Sequence, residues 1–140
     1  MLACLAPDAI LKSPITDGFA FRGLEQLAPL FEDVFAVVDD VRYTADVGDD
    51  RTRMLRLEAR VGRQRLDEAM LVQLGPDGRI THMELFIRPM PGLTALAAAL
   101  GPRVAGRRSR VRALAVRAMI GPLAFATRHG EGLGSRLARP

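Results

Sequence analysis

Between residues 64 and 88 the chain reads QRLDEAMLVQLGPDGRITHMELFIR, two alternating apolar runs joined by Gly75-Pro76-Asp77-Gly78. A period of two broken by such a turn predicts a long β-hairpin. On its first strand Glu68, Met70, Val72 and Leu74 share a face. On the return strand Thr81, Met83, Leu85 and Ile87 share one face, and His82, Glu84, Phe86 and Arg88 the other. One side of the hairpin is therefore nearly all apolar.

The remaining pattern places the other elements around this hairpin. Residues 1 to 5 read as the last turn of a helix closed by Ala6-Pro7-Asp8, and residues 9 to 15 as a short strand with Pro14 near its end, hence an edge or a bulge. Residues 23 to 38 carry Leu24, Leu27, Leu30, Phe31, Val34 and Phe35 at three-and-four spacing, an amphipathic helix with Pro29 inside it. A strand over 41 to 47 is followed by the turn residues Gly48-Asp49-Asp50. Residues 53 to 61 alternate, with Leu55, Leu57, Ala59 and Val61 on one face and Met54, Arg56, Glu58 and Arg60 on the other. Strands in series after a helix predict an α+β domain: a curved antiparallel sheet with helices on one face. A short alanine-rich helix over 93 to 100 is expected to stop at Gly101-Pro102, and a second over 109 to 120 at Gly121-Pro122. Residues 129 to 140 are expected to be loose. The domain is thus assigned to residues 1–100 and a basic helical extension to 101–140.

Charge is unevenly distributed. Residues 1 to 100 hold 15 acidic side chains against 11 basic ones, whereas 101 to 140 hold nine arginines and only Glu131. The extension therefore carries the electrostatic question, not the body. On a helical wheel over 103–119, Val104, Val111, Ala115 and Ala118 form a narrow stripe. Arg103, Arg107, Arg110 and Arg117 border it on one side, Arg108 and Arg112 on the other. Such a helix fits an anionic membrane or nucleic acid, but packing on the acidic body or across a dimer is the favoured expectation. The stretch 111–126 is interrupted by Arg112, Arg117 and Pro122, so no membrane span is expected. Residues 1 to 7 lack the basic start and the length of a signal peptide. Cys4 is the single cysteine, which excludes an intrachain disulfide and makes a cytoplasmic location the default.

The opening Leu2-Ala3-Cys4-Leu5-Ala6-Pro7-Asp8-Ala9, then Ser13-Pro14, Phe21-Arg22-Gly23, Asp77-Gly78-Arg79-Ile80 and Arg88-Pro89, in that order and spacing, resemble the nuclear transport factor 2-like superfamily, in particular its polyketide cyclase-like (SnoaL-like) branch. The resemblance spans about residues 1 to 100 and implies a cone-shaped, cystatin-like α+β barrel enclosing a pocket. Members usually begin with a full helix that helps close the cone. Here only its last turn is expected, and the helix at 109–120 is the candidate to cover the opening.

The ketosteroid isomerases of this fold use an aspartate just before the early proline, a second acid on the strand preceding the D-G-R-I turn, and a tyrosine on the first helix. Transferred by resemblance, the base position is Ser13 and the acid position Met70. A serine hydroxyl without an activating partner is no base near neutral pH, and a thioether donates no hydrogen bond. That mechanism is therefore not expected. The weaker catalytic candidates are Glu68, whose burial would raise its pKa, and Tyr43 and Ser13. For Glu68 the competing reading is a solvated or salt-bridged strand end; for Tyr43 it is core filling.

The predicted pocket lining is Phe31, Phe35, Tyr43, Met70, Val72, Met83, Leu85 and Ile87. Asp67, Arg56, Glu58 and Arg60 are assigned to the outer surface with cross-strand ion pairs, and His82, Glu84 and Phe86 to an outer face used for dimerisation. His82 and His129 stand far apart, with no spaced ligand cluster, so no metal is expected. No phosphate-binding glycine loop and no cofactor motif appear. The leading expectation is a domain that binds a small hydrophobic molecule as a homodimer. The alternatives are an isomerase, cyclase or hydrolase acting on an apolar substrate, and an interaction module using the basic helix.

Overall fold

The long hairpin forms as its alternation requires. Strand β5 (Gln64–Leu74) and strand β6 (Ile80–Arg88) pair antiparallel, with Met70 opposite Leu85, Val72 opposite Met83 and Glu68 opposite Ile87. The computed structural model describes residues 2–138. Ahead of the hairpin come a 3-10 turn (Leu2–Cys4), β1 (Leu5–Lys12), β2 (Ala20–Arg22), α1 (Gly23–Phe35), β3 (Asp39–Gly48) and β4 (Thr52–Val61). After it come α2 (Met90–Gly106) and α3 (Arg110–Leu137).

The strands form one curved sheet in the order β2-β1-β6-β5-β4-β3. Neighbours are antiparallel except β1 and β6, which run parallel with Leu11 beside Met83. Registers across the sheet put Leu57, Ala59 and Val61 of β4, Leu66 and Val72 of β5 and Met83 of β6 on one face. That face is buried in two clusters. The first joins Val72 and Met83 to Leu5, Ala9 and Leu11 of β1 and to Leu27 and Leu30 of α1. The second joins Leu57, Ala59, Val61 and Leu66 to Leu96 of α2. Helix α1 presents Leu27 and Leu30 to the sheet because the three-and-four spacing keeps them on one side, and the helix runs through Pro29 without stopping. Gly92 lets α2 seat against β5: a Cβ there would lie 2.5 Å from the Arg65 carbonyl oxygen.

Several boundaries differ from those expected. Strand β1 begins at Leu5 and ends at Lys12, so Pro7 lies within it and Pro14 beyond it. Its pairing with β6 shifts register between Leu5 and Ile10, an irregularity that accommodates a residue without an N–H donor. Strand β2, three residues long, was too short to show a period. Helix α2 begins at Met90 and passes Gly101-Pro102, so the boundary drawn at residue 100 falls inside a helix; the break comes at Arg107–Ser109 instead. Ser109 caps α3 by accepting the Val111 N–H at 3.2 Å. Helix α3 passes Gly121-Pro122 and continues to Leu137, through the segment expected to be loose. Met1, Arg139 and Pro140, which two of those expectations include, lie outside the described residues. Because of the break, the single helix drawn over 103–119 is two helices. They fold back on each other, and α2, not the segment 109–120, covers the face of the sheet.

The reason α2 outlasts its proline lies at its C-terminal end. Asp33 of α1 is buried at 7% exposure. Arg107 Nε donates to its Oδ2 at 2.7 Å, and Arg103 stands 3.9 Å from Oδ1. Arg107 also donates to the Pro29 carbonyl at 3.0 Å and reaches Glu32 at 3.4 Å. A buried carboxylate demands such partners. The first turns of the basic extension are thus fastened to α1.

Candidate active site

Four strands contribute one residue each to a row across the inner face: Tyr43 of β3, Leu57 of β4, Glu68 of β5 and Ile87 of β6. Glu68 has Leu57 and Ile87 as lateral neighbours. Along its own strand, Leu66 precedes it and Met70 follows it on the same face. It sits where the two apolar clusters meet, with Met70 in the first and Leu66 in the second. Among the described residues no ion pair or hydrogen bond involves its carboxylate. The half-buried carboxyl is consequently pushed up from 4.5 to about 7, and burial among hydrocarbon is the cause.

A carboxyl with that pKa is close to half-ionised near neutral pH, so it can both take and return a proton there. The isomerase acid transferred by resemblance falls on Met70, which is half-buried and paired with Leu85 and Leu55. Glu68 is one inward-facing position earlier on the same strand, about 7 Å away.

The other candidates are dispersed. Tyr43 shares the row with Glu68 but is 59% exposed on the edge strand. Ser13 lies just past β1, and its hydroxyl accepts the Ile15 N–H at 3.2 Å in a local turn. Val72 and Met83 are packed into the first cluster beneath Leu27 and Leu30, so the deep end of the inner face is filled. Phe31 packs on that cluster and stacks on Phe35 at 6.4 Å between ring centroids, while Phe35 itself is exposed. Leu85 borders the first cluster and Ile87 the second. An open cleft of about 570 Å³ lies between the β4–β5 turn, α2 and α3. It shares Val37, Val61, Ala95 and Ala99 with the cluster that holds Glu68's neighbours, and Arg63 and Arg128 stand among its lining residues.

On the outer face the assigned ion pairs form across strands. Arg42 pairs with Glu58, Arg56 with Asp67 at 3.8 Å and Lys12 with Glu84 at 3.5 Å, while Arg56 also reaches Glu58 at 3.5 Å along β4 itself. Phe86 emerges on that face at 51% exposure. Among the described residues no group of three or more His, Cys, Asp or Glu side chains is placed to hold a metal ion. The buried Asp33–Arg107 contact was missed from sequence. Asp33 falls on the buried side of α1, which is a signal for a partnered acid, but the partner lies 74 residues away.

A six-stranded curved sheet with helices over one face and a carboxyl among the apolar side chains of that face is a cone-shaped, cystatin-like α+β domain. Compared with solved structures, the chain is similar to a steroid delta-isomerase from Pseudomonas aeruginosa. The two are 30% identical over 77% of this chain and 80% of that one, with a TM-score of 0.69. It is also similar to a protein with a cystatin-like fold from Silicibacter pomeroyi DSS-3, 25% identical over 84% of this chain and 80% of that one, TM-score 0.69. An NTF2-like protein from Mesorhizobium loti, 14% identical over 63% of this chain and 75% of that one, TM-score 0.54, shares the fold. No family model matches the chain, and no curated protein matches it in sequence. The chain belongs to the nuclear transport factor 2-like (SnoaL-like) superfamily.

Proposed function

We propose that this domain binds a small apolar ligand against the inner face of its sheet and moves a proton on it with Glu68, in a reaction of the isomerase or cyclase type. The observation that carries this reading is a carboxyl with no polar partner among the described residues, set on an apolar face, its pKa raised by burial to about 7. The similarity to a steroid delta-isomerase supports the same substrate character, a flat and largely hydrocarbon molecule. Glu68 would take a proton from a carbon activated by a neighbouring carbonyl and return it to another position. Ser13 and Met70 have no part in this step.

Pure binding without turnover is the second reading. It is favoured by the hydrocarbon and thioether character of Glu68's neighbours, none of which donates a hydrogen bond to a carbonyl. The test is proton exchange into a steroid ketone, measured beside its binding affinity, for the wild type and Glu68→Gln. Exchange in the wild type that the variant loses, with affinity retained, supports catalysis by Glu68. Equal exchange in both removes Glu68 from the mechanism, and binding without exchange leaves a binding protein.

Association of two copies through the outer sheet face belongs to this proposal, with exposed Phe86 framed by charged side chains that can pair across a two-fold axis. Phe86→Lys is expected to convert a dimer to a monomer in sedimentation equilibrium.

A further inference from the structure

Helix α3 has two apolar faces and only one is covered. Half-buried Ala113, Val116, Ile120, Ala124 and Thr127 lie against α2. Gly101 admits Val116, whose Cγ1 would stand 3.0 Å from a Cβ at that position, and the Thr127 and Thr94 hydroxyls share a hydrogen bond of 2.7 Å. At about 100° per residue the opposite side holds Val111, Leu114, Met119 and Phe125. These are 65–76% exposed. Arg110, Arg117 and Arg128 run along one border of that stripe and Arg112 along the other. None of these four arginines is in an ion pair among the described residues, and Glu131 is the one acid in the helix.

We infer that this face of α3 lies on a bilayer containing acidic phospholipids, its apolar stripe at the boundary of headgroups and acyl chains and its arginines on lipid phosphates. An apolar stripe bordered by unneutralised arginines is complementary to such a surface in both hydrophobicity and charge. A second copy fits less well. A two-fold contact through the same face would set arginine borders against arginine borders, with one glutamate per helix to offset them. Nucleic acid fits less well too, since the middle of the stripe would meet phosphates with hydrocarbon. No helix among the described residues is long and apolar enough to cross a membrane, so α3 lies on the surface.

The test is co-sedimentation of the full chain with vesicles of phosphatidylcholine alone and of phosphatidylcholine with one part in three phosphatidylglycerol. Acidic vesicles are expected to bind at least tenfold more strongly, with the difference shrinking at high salt. Arg112→Gln with Arg117→Gln is expected to weaken binding about thirtyfold, because each arginine near the surface contributes about fivefold. Leu114→Asp with Phe125→Asp is expected to abolish it. Both pairs alter exposed positions, and unchanged circular dichroism checks the fold. No binding to acidic vesicles, equal binding to neutral ones, or full binding by the Leu114→Asp/Phe125→Asp variant would overturn the inference. A dimer that this same variant dissociates would also overturn it, because a second copy would then cover α3.

Discussion

Replacing Glu68 with glutamine is expected to stabilise the protein, and only above a definable pH. Raising a carboxyl's pKa from 4.5 to about 7 corresponds to about 3 kcal/mol of preference for the neutral form. Glu68 is half-buried, so screening by solvent trims this to about 2 kcal/mol. Below pH 4.5 the carboxyl is protonated in both the folded and the unfolded chain, and its charge has no effect on folding. Between 4.5 and about 7 the unfolded chain releases the proton first, so stability falls as pH rises. Above about 7 the ionised group stays among Leu57, Ile87 and Met70 at full cost. Glutamine has a similar shape and no charge at any pH. Urea denaturation of both proteins at pH 4 and pH 8 isolates the effect, because every other titrating group is common to them. The variant's midpoint is expected about 1 M higher at pH 8 and unchanged at pH 4. Coincident midpoints at pH 8, or a less stable variant there, would refute the placement of an ionisable carboxyl in an apolar environment.

Other consequences can be checked directly. If Glu68 is the proton acceptor, the rate of proton exchange should fall as pH drops through about 7, and Glu68→Asp should retain part of it. Arg107→Met leaves Asp33 buried with only the more distant Arg103, and should cost about 2 kcal/mol in chemical denaturation; adding Asp33→Asn should recover part of that loss, whereas additive costs would deny the coupling. Gly92→Ala forces a methyl to within 2.5 Å of the Arg65 carbonyl oxygen and should lower the melting temperature by several degrees through about 2 kcal/mol of overpacking.

Much of this architecture is legible in the chain because burial writes a period into it. The inner face of β4 through β6 and the buried side of α1 follow from alternation and from three-and-four spacing. Glu68 was placed on its face by the same alternation. What the chain did not disclose depends on residues far apart. Helix α2 outruns Gly101-Pro102 because Arg103 and Arg107 reach Asp33 on α1, and because Gly101 admits Val116. Local propensity reads the same Gly-Pro pair as a stop. Strand β1 holds a proline because an irregularity in its pairing absorbs it, and β2 is too short to carry a pattern. Whether Glu68 had a charged partner could not be read locally either. The lack of one among the described residues emerges only when the neighbouring strands are in register.

The parallel pairing of β1 with β6 sets the order in which the molecule can assemble. Strand β1 hydrogen-bonds with β6, so the β1–β2 pair cannot join the rest of the sheet until Ile80–Arg88 has been made. The interval is filled by β3, β4 and β5, which pair with their sequence neighbours and can close early. A nascent chain halted before β6 would therefore leave the backbone edge of β1 unpaired and open to chaperones or to other chains, with Leu5, Ala9 and Leu11 lacking Met83 in their cluster, making the final hairpin strand the step that commits the domain to its native state.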